Sequence, residues 1–294
     1  MKTYLECYAC FLRHGLEASR IAGLDEAEQK QVLNGIMEIL KAMDLTATPP
    51  QIAQVIHKRI RELSRSSDPY KEMKQEQNRC LLQMEGDLQR HISGSANPLL
   101  EAIKLAGACN AIDMGPTRNW DRVEDLFNQL LSPRLGTFQA EDFVESVSQA
   151  NTLLYVADNA GEIVGDKILL SLLRREMKAD IILAVRGGPI LNDATLEDAL
   201  AVGIGTFARV ITTGSNAPGA ILSGCSKEFL DVFEKADLVL AKGQGNYEAL
   251  EGVKKNNVFF LLQVKCPVVA RDLKAEVGEI VLMRNRALDI ANMQ

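Results

Sequence analysis

The chain has 294 residues, 47% of them hydrophobic and 24% charged, with a formal net charge of −6, the profile of a soluble globular protein rather than a partner of nucleic acid or an anionic membrane surface. No apolar run approaches the roughly 20 residues of a membrane-spanning helix. Six scattered cysteines do not resemble a disulfide framework, and the opening "MKTYLECYACFLRHG", with Glu6 and no small-residue cleavage pattern, suits a cytoplasmic protein.

The first half reads as successive helices. Leu5, Leu12, Leu16 and Ile21 fall at helical spacing, and Gly23 ends the first helix. Asp25 with Glu28 forms a capping-box pattern before Val32, Ile36 and Ile39. Thr48-Pro49 opens a third helix with an apolar stripe of Ile52, Val55, Ile56 and Ile60. Asp68-Pro69 opens a long, charged fourth helix reaching about His91. "SGSANP" (93–98) breaks the pattern, and helical sequence is expected again to about Gln149. From Asn151 short apolar runs recur: "TLLYVA", "DIILAV", "ARVIT", "DLVLA", "NVFFLL" and "EIVLM". Helix-like intervals alternate with them, which predicts a Rossmann-like α/β fold, a mostly parallel sheet with flanking helices, preceded by an all-helical part. The expected division is a helical domain over 1–92, a helical connecting region over 93–150 and the α/β domain over 151–294.

In open α/β sheets ligands bind beyond the carboxyl ends of the strands. The loops there are polar and carry glycine: Asp158-Asn159-Ala160-Gly161-Glu162, Arg186 to Asp193, Thr212 to Gly219 and Lys242 to Glu248. Asp158, Asn159 and Asp193 offer hard oxygens suited to a divalent ion. Lys242 and the amides around Gly214, Ser215 and Asn216 offer donors for an anion. Helix capping is the competing account of the acids: Asp158 or Asn159 before the next helix, and Asp193, or Thr195 with Asp198, before Leu196. "GIGTFA" (203–208) lies between a helix and a strand, the wrong order for a dinucleotide loop. None of the three histidines, His14, His57 and His91, lies in the α/β half. Cys7-x-x-Cys10, with His14 on the same helical face and Cys80 as a distant partner, fits two reduced core cysteines better than a zinc or redox site.

Together, "DNAGE" (158–162), "GGPILNDAT" (187–195), "GSNAPG" (214–219), "KGQGNYEAL" (242–250) and "KCPVVA" (265–270) resemble the damage-control phosphatase family, long catalogued as a domain of unknown function. "CYAC" (7–10), "DPYKEMKQEQN" (68–78) and "CNAIDMG" (109–115) resemble its prokaryotic branch, so the likeness spans nearly the whole chain. It implies metal-dependent hydrolysis of small phosphate monoesters such as sugar phosphates, nucleotides or damaged phosphometabolites. It implies Asp158, Asn159 and Asp193 as ligands of Mn²⁺, Mg²⁺, Co²⁺ or Ni²⁺, with Lys242 meeting the phosphate. Asn246 and Tyr247 match the family's "NY", although Gly243-Gln244-Gly245 departs from the eukaryotic turn. Asn110 and Asp113 match a position that closes the pocket, and Gly214, Ser215, Asn216 and Asn192 are expected to touch substrate. The expected chemistry is in-line attack by metal-activated water, with Glu162 as base or as support for the ligands and direct attack by Asp158 a less favoured variant. A non-catalytic phosphometabolite-binding module, a redox protein built on the CxxC helix and an S-adenosylmethionine-dependent carboxyl methyltransferase are the alternatives. No oligomeric state is implied.

Overall fold

The computed structural model describes residues 1–111, 123–177, 180–255 and 257–285. Helices α1 (Leu5–Ile21), α2 (Glu26–Ala42) and α3 (Pro49–Ser64) enclose a core of their own, built on Phe11, Val32, Ile36, Ile56 and Ile60. Local chemistry sets their starts. The Asp25 carboxylate accepts from the Glu28 N–H (2.8 Å) while Glu28 accepts from the Asp25 N–H (3.0 Å). Thr48 and Gln51 form the same reciprocal box, with Pro49 at the first helical position. Asp25→Ala is expected to lower stability by about 1 kcal/mol, read from the urea midpoint.

The chain continues through α4 (Lys71–Ser93), α5 (Pro98–Cys109), α6 (Val123–Leu131), β1 (Leu135–Phe138), α7 (Ala140–Gln149), β2 (Thr152–Val156), α8 (Glu162–Glu176), β3 (Asp180–Val185), α9 (Leu196–Ala201) and β4 (Arg209–Thr212). It ends with α10 (Lys227–Lys235), β5 (Leu238–Lys242), α11 (Gly243–Leu250), β6 (Val258–Gln263), α12 (Pro267–Leu273) and β7 (Ile280–Arg284). The seven strands form one sheet in the order β1-β7-β6-β5-β2-β3-β4, parallel except for the β6/β7 pair. Successive residues face opposite sides of the sheet. Leu153, Tyr155, Leu183 and Leu240 face the α4, α5 and α8 side, and Leu154, Val156, Ile182 and Val239 face α10, α11 and α12. Both faces are covered, so the strands read as continuous apolar runs. Leu88 of α4, Ile103 of α5, Leu126 of α6 and Phe143 of α7 share their core with the sheet.

One expectation is corrected here. The stretch read as helical to Gln149 contains strand β1, an edge strand beside β7. At four residues, half-buried or exposed throughout, it is too short to display a period. Its pairing comes from β7 and is flanked by backbone bonds from Ile280 to Arg134 O and from Gln139 to Leu282 O, 2.8 Å each. Among the described residues no helix is long and apolar enough to cross a membrane.

Candidate functional site

From β2 the chain steps one way to β3 and β4, then returns to place β5 on the other flank of β2. The crevice beyond the carboxyl ends of β2 and β5 is therefore the sheet's switch point. Here the loop after β3 folds back on the loop after β2. Ala194 N–H donates to Asp158 O (2.8 Å), Ala160 N–H donates to Asn192 O (2.9 Å), and Asn159 pairs with Asp193 in an antiparallel bridge. That bridge brings Asp193 beside Asp158 and Asn159 across 35 residues of chain. The capping account holds for Thr195 with Asp198 and fails for Asp158, Asn159 and Asp193. Helix α8 has Gly161 at its N-cap and no side-chain cap, while α9 is opened by Thr195, whose N–H donates to Asp198 (2.9 Å).

The side chains form one buried network. Asp158 Oδ2 accepts from Asn110 Nδ2 (3.0 Å) and Asn159 Nδ2 (2.9 Å), and Oδ1 faces Arg186 Nη2 at 3.5 Å. Arg186 Nε donates to Asp193 Oδ2 at 2.6 Å, so one guanidinium tethers both acids. The same two amide nitrogens reach Glu162 Oε2, from Asn110 at 2.8 Å and from Asn159 at 3.1 Å. Beneath them Lys242 Nζ donates to Glu162 Oε1 (2.5 Å), Asp166 Oδ1 (2.6 Å) and Ala106 O (2.9 Å). Four buried carboxyl groups, Asp158, Glu162, Asp166 and Asp193, thus stand against two buried cations, Arg186 and Lys242. Burial, and then repulsion from Glu162 and Asp193, pushes Asp158 up to about 7, and burial likewise raises Asp193 despite Arg186.

These residues fit a divalent cation, whose charge would balance the two uncompensated acids. Among the described residues no group of three or more His, Cys, Asp or Glu is arranged to hold a metal, so the candidate set is two carboxylates and an amide. With its Nδ2 spent on two carboxylates, Asn159 has Oδ1 to offer. The raised Asp158 has a consequence for the metal-free protein. A carboxyl lifted from 3.8 to about 7 on folding contributes stability that is present at low pH and lost as pH rises through about 7. Relative to Asp158→Asn, the metal-free wild type should lose melting temperature between about pH 5 and about pH 8, measurable by scanning calorimetry.

Above Asp158, Asn159 and Asp193 lies a cavity of about 680 Å³, walled on the far side by α1 and α3 and at the rim by Gln244, Lys265 and Cys266. Cys7 and Cys10 line it too, half-buried, as do His14 and His57. The reading of the CxxC pair as reduced core cysteines is corrected only in part: both are free and Cys7 packs against the α1–α3 core, but both also face the cavity. Burial pushes both thiols up, and it pushes His57 down to about 3, so that imidazole is neutral.

The structure distributes the expected site residues over two layers. Asp158, Asn159, Asn192 and Asp193 line the cavity, while Lys242, Glu162, Asn110, Asn246 and the 214–216 loop lie outside its lining. Lys242, expected to meet a phosphate, is fully buried, and its ammonium donates to Glu162, Asp166 and Ala106 O rather than into the cavity. Glu162, expected as base or as support for the ligands, is equally enclosed and accepts from Asn110, Asn159 and Lys242. Asn246, expected to touch substrate, donates to Ala157 O and Lys242 O and accepts from Ala220 N–H and Arg186, a staple between strands and loops. The Gly214 and Ser215 amides donate to Thr212 and Thr213 hydroxyls, and Asn216 accepts from Gln54 of α3. Asp113 lies outside the described residues. Sequence reasoning assigned no role to Arg186, Asp166 or Tyr155. Arg186 directly follows β3 at the site edge, and Asp166 stands four residues after Glu162, hence on the same face of α8.

Comparison with known proteins shows the family and the fold. The model of the damage-control phosphatase ARMT1-like domain matches residues 3–281. An uncharacterized protein of Methanocaldococcus jannaschii is 37% identical, covering 95% of this chain and 94% of its own. Damage-control phosphatases of Pyrococcus horikoshii and Archaeoglobus fulgidus are 31% and 30% identical over 97% and 96% of this chain, and 99% and 98% of their own. The crystal structure of a DUF89 family protein from Pyrococcus horikoshii has a TM-score of 0.89 at 31% identity, covering 97% of this chain and 99% of that one. With its fold and nearly its full length matched, the chain belongs to the ARMT1-like damage-control phosphatase family.

Proposed function

We propose that the protein is a metal-dependent phosphatase that hydrolyses monoesters of small phosphorylated metabolites in the cavity above Asp158, Asn159 and Asp193. The observation that carries this reading is the charge imbalance beneath that cavity, four buried carboxyl groups against two cations. The names of the Pyrococcus and Archaeoglobus relatives support the phosphatase class and a damaged-metabolite substrate.

Asp158, Asn159 and Asp193 would hold a divalent ion such as Mn²⁺, Mg²⁺, Co²⁺ or Ni²⁺ through hard oxygens, and Arg186 keeps both acids in register. When bound, such an ion supplies charge neutralisation for phosphoryl oxygens and lowers the pKa of water. Lys265, whose charge is felt by Asp158 and Asp193, brings a further positive group to the cavity rim, and Arg13 and His14 line the wall of α1. Helices α1 and α3 shield the floor from bulk solvent, which strengthens electrostatic contacts within.

The test is phosphate release from p-nitrophenyl phosphate, sugar phosphates and nucleotides by protein stripped with chelator and then supplied with each ion in turn. Release that vanishes on stripping and returns with an ion is expected. No release with any ion or ester would reject the hydrolase and leave a binding role.

A further inference from the structure

We infer that Lys242 is a positioning residue for the metal ligands, acting from beneath the site through Glu162 and anchored by Asp166 and Tyr155. The inference rests on the reading of Asp158, Asn159 and Asp193 as that ligand set. Lys242 closes β5 with its side chain directed under α8, and its three N–H bonds have three acceptors, at 2.5, 2.6 and 2.9 Å. Asp166 Oδ1, which takes one of them, also accepts from Tyr155 OH at 2.6 Å. Tyr155, Asp166, Lys242 and Glu162 are all 0% exposed.

The network continues upward without a gap. Glu162 spends one oxygen on Lys242 and the other on the Asn110 and Asn159 amide nitrogens, which bond Asp158 Oδ2 in turn. A fixed Glu162 selects the orientation of the Asn159 amide. The nitrogen is drawn to the carboxylates, because the oxygen in its place would face like charge, and the oxygen is what a cation meets. Lys242 fixes Glu162 by supplying its counter-charge. To reach a phosphate, the ammonium would have to break three bonds and leave two buried acids unpaired. Asp166 and Tyr155 hold it in the lower position.

Calorimetric titration of Mn²⁺ into the stripped full-length protein tests this. Partners that orient metal ligands typically change affinity by about 10–100-fold when removed. Lys242→Met should bind Mn²⁺ within that range more weakly than wild type, and Asp166→Asn, which touches neither a ligand nor the cavity, at least about 10-fold more weakly. The double variant should be no weaker than Lys242→Met alone, since both changes cut one chain of bonds. Inorganic phosphate should bind Mn²⁺-saturated Asp166→Asn and Lys242→Met as it binds wild type. Unchanged Mn²⁺ affinity in both single variants, with phosphate affinity lost only in Lys242→Met, would overturn the inference. Tyr155→Phe removes one hydroxyl and keeps the test decisive if the charge variants do not fold. It should weaken Mn²⁺ binding a few-fold, and wild-type affinity there counts against the chain of support. A wild type that binds Mn²⁺ yet releases phosphate from no ester would sink the hydrolase reading and leave this inference intact.

Discussion

Asp193→Asn is expected to reduce kcat/KM for p-nitrophenyl phosphate by about 10³-fold or more while leaving the fold intact. Asparagine matches the volume of Asp193 and keeps an acceptor for Arg186 Nε, now 2.6 Å from Oδ2. It removes one of the two carboxylates that stand beside Asn159 among the described residues, and with it a charge that any bound cation would need. Charge stabilisation by a metal is worth several kcal/mol in the transition state, and each 1.36 kcal/mol is tenfold in rate, hence the expected size. Asp193→Ala is a poorer probe. It leaves Arg186 buried with a bond to the neutral Asn246 amide and one long contact to Asp158, and breaking a buried pair in this way costs about 3–5 kcal/mol of stability. Steady-state kinetics with a urea titration of the same samples separates the two effects. Wild-type turnover in Asp193→Asn would remove Asp193 from the site.

Gly243→Ala is expected to cost both stability and metal binding. Gly243 has φ +76, and a Cβ there would stand 1.8 Å from Asp158 Oδ2 and 2.2 Å from its Cγ. The left-handed backbone costs an L-residue about 1–2 kcal/mol, and overpacking adds about 1–3 kcal/mol. A loss of about 3 kcal/mol is therefore expected. The clash would also push Asp158 away from Asn110 and Asn159, so Mn²⁺ binding should fail even in the fraction that folds. Gly252→Ala is the control: its φ is +82, but nothing lies within 4 Å of the added carbon, so only the backbone contribution remains. Urea midpoints of the two variants isolate the contact with Asp158. Equal losses would show that this contact is relieved by movement.

The α/β half was legible because its signals are local. Buried strands such as Leu153–Val156 are continuous apolar runs, and the loops that follow carry glycine and acids, so the carboxyl edge of the sheet could be located from composition alone. The caps at Asp25 and Thr48 were legible for the same reason, since a cap is a contact between residues three apart. Strand β1 was not, because its pairing is supplied by β7, 145 positions away in the register of Leu135 with Ile280.

The sequence by itself determined the fold class, the edge of the sheet that carries the site, and the candidates Asp158, Asn159 and Asp193, through local pattern and family likeness. It did not determine depth. Only the tertiary structure decided that Asp193 and Asn192 reach the cavity while Lys242, Glu162 and Asn246 lie behind it, and that the CxxC face of α1 forms the opposite wall. The physical reason is that a lysine at a strand end has the same local pattern whether its ammonium meets solvent or two buried acids. That choice belongs to Asp166, contributed by α8, and to Ala106 O, contributed by α5.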